Sequence, residues 1–269
     1  MKDLSAQTRS IRENILAMLV EAGSGHPGGS LGSVEIFASL YFNVIKHDPQ
    51  NPFLPERDRV LLSAGHICPA WYATLAQAGY FEMGELLSLR KFGSRLQGHP
   101  EFQNGHSLPG IENTSGPLGQ GLSQAIGLSL SLQLDNLPSH VFCVMSDGEQ
   151  QEGQTMEGLL YAGSKNINNL TILIDRNNIQ LSGNTKQILP IGDLGRRIRQ
   201  FGWTVIEVDG HNTDQITKSC LKAKENKYHP TAIICHTTPG KGVYFMENKY
   251  QWHGKSLSRE NYQKAIQEL

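Results

Sequence analysis

The chain has 269 residues, with 24 lysines and arginines against 25 aspartates and glutamates, and a formal net charge of −1. At 18% charged residues it offers no electrostatic case for binding nucleic acid or an anionic membrane, while its length allows one large α/β core spanning residues 1–269 as a single domain. Four scattered cysteines (Cys68, Cys143, Cys220, Cys235) form no CxxC or zinc spacing, and no stretch reads as a signal peptide or reaches membrane-spanning length, so a reducing, cytoplasmic setting is expected.

In chain order, residues 3–22 read as an amphipathic helix with Leu4, Ile11, Ile15 and Leu19 on one face, ended by Gly23. The turn that follows, Ser24-Gly25-His26-Pro27-Gly28-Gly29, sets a histidine between glycines, where no core forms and a ligand can approach. A helix over about 32–44 and a Pro/Asn-rich loop over 48–55 come next. Val60-Leu61-Leu62-Ser63 is a short strand running into Ala64-Gly65-His66, which places a second histidine at a strand's carboxyl end. Helical patterns span about 69–78 and 83–92. Residues 93–117 are irregular and include His99 and His106, and a loop this long in a compact domain is usually functional or disordered. His106 has no support beyond its place in that loop. Gly116-Pro117-Leu118-Gly119-Gln120-Gly121 then leads into a helix over 122–134, and glycines at this spacing let a ligand or another helix approach the backbone.

The stretch from His140 to Gly183 organises the rest. Val141 to Met145 is an apolar run expected to be a buried strand of a parallel sheet. It stops at Ser146-Asp147-Gly148, a helix is expected over about 152–165, and a second apolar strand over 170–174 ends in Asp175-Arg176-Asn177-Asn178. Ligands in open α/β sheets sit outside the carboxyl ends of the strands, so Asp147 and Asn177 are expected side by side. A carboxylate, an amide oxygen and backbone carbonyls are hard donors that suit Mg²⁺ or Ca²⁺ rather than zinc. Mg²⁺ usually completes its octahedron with phosphate oxygens and water. Gly148, read as opening the next helix, would favour an anion through its free N–H, so a metal-bridged diphosphate is the expected occupant.

Further on, a helix over 193–201, a strand over 203–208, a helix over 212–224 with Asn212 and Gln215 spaced like a capping box, and a strand over 231–235 continue the alternation. The tail carries Trp252-His253-Gly254 and closes with a short helix near Arg259 to Glu268. Strands alternating with helices predict a doubly wound, mostly parallel sheet flanked by helices.

Taken together, SGHPGGSLG, LSAGH, GHPE, GPLGQGL, SDGxxxEG, DRNN and a late HG follow, in one order, the pattern of the N-terminal half of transketolases. The chain therefore resembles the thiamin diphosphate-binding half of that family from about Asn14 to Leu257. It departs in two places: Ser146 stands where the usual pattern has glycine, and Cys68-Pro69 stands where small polar residues are usual. The resemblance implies thiamin diphosphate with Mg²⁺ or Ca²⁺ as cofactors, and the thiamin diphosphate-binding fold. It implies metal ligation by Asp147, Asn177 and the carbonyl of Ile179. The diphosphate would be held by His66, the Gly148 N–H and His253, and the middle of the cofactor lined by Gly116 and Leu118. His26, His66, His99 and His253 would face the substrate channel, hydrogen-bonding sugar hydroxyls and moving protons, a role that suits a group titrating near neutrality. Glu152 and Glu157 resemble carboxylates at a dimer interface that couple two cofactor sites.

A complete chain of that family continues into a domain that binds the aminopyrimidine ring. Its absence from these 269 residues suggests either one subunit of a split transketolase or a piece of a longer protein. The start at Met1 and the closing helix favour the subunit, expected to assemble two plus two with a separate chain carrying the pyrimidine domain. The implied reaction moves a two-carbon ketol unit from a ketose to an aldose, as phosphates. Competing readings are a subunit of another thiamin diphosphate enzyme (1-deoxyxylulose-5-phosphate synthase-like, or a dehydrogenase component), or a non-catalytic binding module of the same fold.

Overall fold

In this computed structural model the description covers residues 2–103 and 107–269; His106 and its two preceding residues lie outside it. Five strands, β1 (Arg59–Leu62), β2 (Val141–Ser146), β3 (Leu170–Arg176), β6 (Thr204–Asp209) and β7 (Thr231–His236), form one sheet in the order β1-β2-β3-β7-β6. Every pairing in it is parallel. A two-residue antiparallel ladder, β4 (Ile179–Gln180) with β5 (Gly183–Asn184), stands beside it.

Burial on both faces explains why β2 and β3 are unbroken apolar runs rather than alternating ones. Phe142 and Val144 point into one core, with residues from α1 (Ser5–Ala22), α3 (Val34–Ser39), α4 (Cys68–Gln77) and α9 (Thr213–Glu225). Val141, Cys143 and Met145 point into the other, with α5 (Gln120–Leu134), α6 (Gly153–Ser164) and α8 (Leu194–Gln200). Each such fully buried side chain contributes roughly 1.5–3 kcal/mol. Ile11, Ile15 and Leu19 of α1, with Leu4 just before it, are buried as expected, and Gly23 caps the helix in the left-handed region. The remaining helices are α2 (Pro27–Gly32), α7 (Thr185–Ile188) and α10 (Arg259–Glu268).

Three expected elements come out differently. The helix over about 32–44 is broken into α2, α3 and a π-helical turn, Leu40–Val44; Gly32 lies so close to the Thr238 carbonyl that a Cβ there would sit 3.0 Å from its oxygen. The helix over 83–92 shrinks to a 3₁₀ segment, Met83–Ser88, followed by Arg90 in the left-handed region at φ 60°. Gly148 does not open an α-helix. It begins a 3₁₀ turn, Gly148–Gln151, and α6 starts only at Gly153. Half of the expected capping box forms: Asn212 accepts from the Gln215 N–H, but the Gln215 side chain accepts from the Asp209 N–H instead.

All four cysteines are free and buried, and no helix among the described residues is long and apolar enough to cross a membrane. The carboxyl ends of β1, β2 and β3 lie side by side, each leading into a segment that carries candidate site residues.

Candidate active site

Four histidines from four separate segments meet at that end of the sheet. His66 sits in the 3₁₀ turn Gly65–Ile67 after β1, and His26 is the residue before α2. His253 ends the 3₁₀ turn Tyr250–Trp252, and His99 lies in the long loop. Ring centroids are 5.3 Å apart for His26 and His66, 5.8 Å for His26 and His253, 5.1 Å for His66 and His253, and 6.4 Å for His26 and His99. Two glycines of α2 make this approach possible. A Cβ on Gly28 would lie 3.0 Å from the Trp252 carbonyl oxygen, and one on Gly29 would lie 2.8 Å from Ile67.

The departure at Cys68-Pro69 has a structural account. Pro69 occupies the first turn of α4, where a missing N–H costs nothing. The buried Cys68 thiol donates to the Gly98 carbonyl at 3.3 Å, and the Tyr72 hydroxyl to that of Gln97 at 3.0 Å. Together they pin the segment just before His99.

Desolvation lowers the pKa of all four rings. Desolvation first, then His253, Arg90 and His99, push His26 down to about 4. Desolvation with the neighbouring rings drives His66 well below its usual value, and desolvation lowers His99 and His253. A neutral imidazole offers one donor and one acceptor, and Nδ1 of His26 is buried with no protein partner. This has a measurable consequence. In ¹³C-histidine NMR, His26 is expected to protonate near pH 4 rather than the free value of 6.5, with the other three rings also shifted downward. Because the unfolded chain takes up the His26 proton first, that ring favours the fold above about pH 6.5, and its contribution fades as pH falls toward 4. A His26 midpoint near 6.5 would mean that the ring is not desolvated by its neighbours.

At the same end of the sheet, β2 and β3 bring Asp147 and Asn177 together. Asp147 is fully buried, its N–H donates to the Asp175 carbonyl at 3.1 Å, and its Oδ2 accepts from the Asn178 N–H at 2.7 Å. Asn177 Oδ1 accepts from the Ile179 N–H at 2.9 Å. The Arg176 guanidinium lies 3.7 Å from Asp147. Burial, then the nearby Asp175, outweigh that cation and push Asp147 up to about 7. Its Oδ1 is buried with no protein partner. An orphaned carboxylate oxygen whose charge the fold disfavours fits a divalent cation, which supplies the missing countercharge. Among the described residues no three His, Cys, Asp or Glu side chains are grouped as a metal would need. One carboxylate, one amide and a carbonyl suit a hard cation that also takes phosphate oxygens and water.

Ser146 in the usual glycine position causes no strain. It is the last residue of β2, outside the positive-φ region, and its N–H donates to Glu149 Oε2 at 3.2 Å. That carboxylate was not legible from the sequence. Glu149 is fully buried; its Oε1 accepts from the Ser63 hydroxyl and from the Gly119 N–H at 2.6 Å. It ties the ends of β1 and β2 to the loop before α5, and this clasp is what tightens Gly148–Gln151 into a 3₁₀ turn. Gly119 itself needs its φ of 85°. No periodicity marks Glu149, since it falls in a turn; Asp175 had a faint signal, an acidic residue closing an apolar strand run.

Of the other candidate residues, Gly116 (φ 145°) lies against His99, and Leu118 is exposed in the same loop. Gly148 is partly open, with room beside Gln180. Glu152 and Glu157 are not brought to the histidines. Both are exposed, Glu152 at the start of α6 against Gly119, and Glu157 on that helix together with exposed Leu160 and Tyr161.

Residues 5–269 match the family described as transketolase, thiamine diphosphate binding domain. The chain is 41% identical over 267 residues to the 6-deoxy-6-sulfo-D-fructose transketolase subunit SqwG of Clostridium sp. (strain MSTE9), covering 99% of this chain and 96% of that protein. It is 33% identical to one of the subunits of the apulose-4-phosphate transketolase of Phocaeicola vulgatus, covering 100% of this chain and 94% of that one. Among solved structures, transketolase from Leishmania mexicana superposes with a TM-score of 0.91 at 31% identity, covering 98% of this chain and 41% of that chain.

Proposed function

This chain belongs to the transketolase family, and from that premise we propose that it is the N-terminal, cofactor-anchoring subunit of a split transketolase. In this reading it works with a separate chain carrying the pyrimidine domain, two copies of each. The observation that carries the reading is that one end of the sheet holds both an orphaned buried carboxylate, Asp147 after β2, and a cluster of four histidines, one of them just after the neighbouring β1.

Asp147, Asn177 and the Ile179 carbonyl hold Mg²⁺ or Ca²⁺; the Gly148 N–H, His66 and His253 hold the diphosphate; and Gly116 and Leu118 line the middle of the cofactor. Bound thiamin diphosphate supplies the carbon nucleophile that lets a ketose lose a two-carbon ketol unit to an aldose. His26, His66, His99 and His253 bind sugar hydroxyls. Being neutral, each can accept a proton from a hydroxyl at one nitrogen while donating at the other. The two split relatives are named for a sulfonated fructose and a sugar phosphate, so the expected substrates are sugars with an acidic terminus. The exposed α6 face with Glu157, Leu160 and Tyr161, and Glu152 at its start, is assigned to contact between copies. Four free, buried thiols suit a reducing, cytoplasmic setting.

The test is hydrogen–deuterium exchange at C2 of thiamin diphosphate, followed by NMR with Mg²⁺ and this chain alone, beside a binding titration. Binding without accelerated exchange, and acceleration once a pyrimidine-domain partner is added, is the expected result. Strong acceleration by the chain alone would overturn the two-chain reading. Failure to bind at all would overturn the cofactor reading.

A further inference from the structure

Asp175 has no role in the scheme above, yet it is 1% exposed at the end of β3 and sits close enough to Asp147 to raise that group's pKa. A second buried carboxylate beside the first is costly, so its contacts are informative. Both oxygens are used. Oδ1 accepts from the Thr237 hydroxyl, and Oδ2 accepts from Asn177 Nδ2 at 2.8 Å. Thr237 lies just past β7 and is itself tied down, its N–H donating to the Arg176 carbonyl at 3.2 Å.

The oxygen and nitrogen ends of an asparagine amide are nearly the same shape, so only its partners decide which end faces a ligand. An ionised carboxylate accepts hydrogen bonds and cannot donate them. The Asp175 oxygen at 2.8 Å from Nδ2 therefore turns the NH₂ of Asn177 toward itself. The Ile179 N–H, 2.9 Å from Oδ1, reinforces the same choice from the other side and leaves a second lone pair on that oxygen.

Resting on the functional reading above, we propose that Asp175, anchored by Thr237, is a positioning residue. It locks the Asn177 amide with its oxygen toward the place where a divalent cation would be held. The carboxylate also polarises the amide through Nδ2 and makes Oδ1 a better donor to a hard cation, as outer partners do for other metal ligands.

The experiment is a thiamin diphosphate titration of the full chain at graded Mg²⁺, read by intrinsic fluorescence or calorimetry, for wild type, Asp175→Asn and Thr237→Val. Asp175→Asn is expected to raise the Mg²⁺ concentration for half-maximal cofactor binding by about 10–100-fold. At saturating Mg²⁺ its cofactor affinity should return to the wild-type value. Thr237→Val, which leaves the Asp175–Asn177 bond in place, should shift the Mg²⁺ requirement less and in the same direction. An unchanged Mg²⁺ requirement in Asp175→Asn overturns the inference. So does a loss of cofactor affinity that excess Mg²⁺ does not restore, because that marks general damage to the site. A wild-type chain that binds no thiamin diphosphate at any Mg²⁺ overturns the functional reading, and the inference with it.

Discussion

Asp147→Asn is expected to abolish metal-dependent cofactor binding while leaving the cofactor-free fold at least as stable as wild type. The substitution keeps the shape and one acceptor for the Asn178 N–H, now 2.7 Å from Oδ2, but removes the charge. Losing an outer partner of a metal ligand typically costs 10–100-fold in affinity, so losing the carboxylate ligand itself should cost more than about 100-fold. Without metal the same charge is a burden. Its carboxyl is pushed up to about 7 from 3.8, so the fold disfavours the ionised form progressively from pH 4 upward and fully above 7. Thermal unfolding at pH 8 separates the two effects. Wild type should gain about 2.7 kcal/mol when the cofactor with Mg²⁺ is present at a hundred times its dissociation constant, and the variant should gain nothing. A cofactor-free variant that melts several degrees below wild type would mean that Asp147 is a structural carboxylate paired with Arg176 instead.

The second large effect belongs to Glu149. Truncation to alanine strands three donors, the Ser63 hydroxyl and the N–H groups of Gly119 and Ser146, at a site with no exposure. Each unsatisfied buried donor costs about 1–3 kcal/mol, so Glu149→Ala should lose roughly 3–5 kcal/mol in equilibrium urea unfolding. Glu149→Gln should lose less, because its oxygen still serves part of the set while its NH₂ confronts at least one N–H. The loss should come with weaker thiamin diphosphate binding, since the same carboxylate joins the Asp147 turn to the Gly116–Gly119 loop. A ΔΔG under 1 kcal/mol for the alanine variant would show that water replaces the carboxylate, and that the three segments hold their places without it.

The alternation of apolar runs with helical patterns was enough to anticipate a parallel, doubly wound sheet, because β2 and β3 are buried on both faces and carry no polar stripe. Asp147 and Asn177 could be placed side by side for the same reason: two such strands pair, and their carboxyl ends face one ligand crevice. Helix boundaries were less legible where a glycine was needed for close approach, as at Gly32, or where a side chain pulled the backbone tighter, as Glu149 does at Gly148.

Local sequence determined which residue types would stand at the strand ends, since apolar period, glycine turns and caps act over a few residues. Only the tertiary structure decided that His26, His66, His99 and His253, drawn from segments far apart in the chain, come together at one end of the sheet, where desolvation lowers the pKa of each. It likewise decided that Glu149 and Asp175 are buried beside the strand ends, each bonded to segments far away in the chain. Desolvation and hydrogen-bond satisfaction depend on what surrounds a group in space, and no spacing along the chain records that.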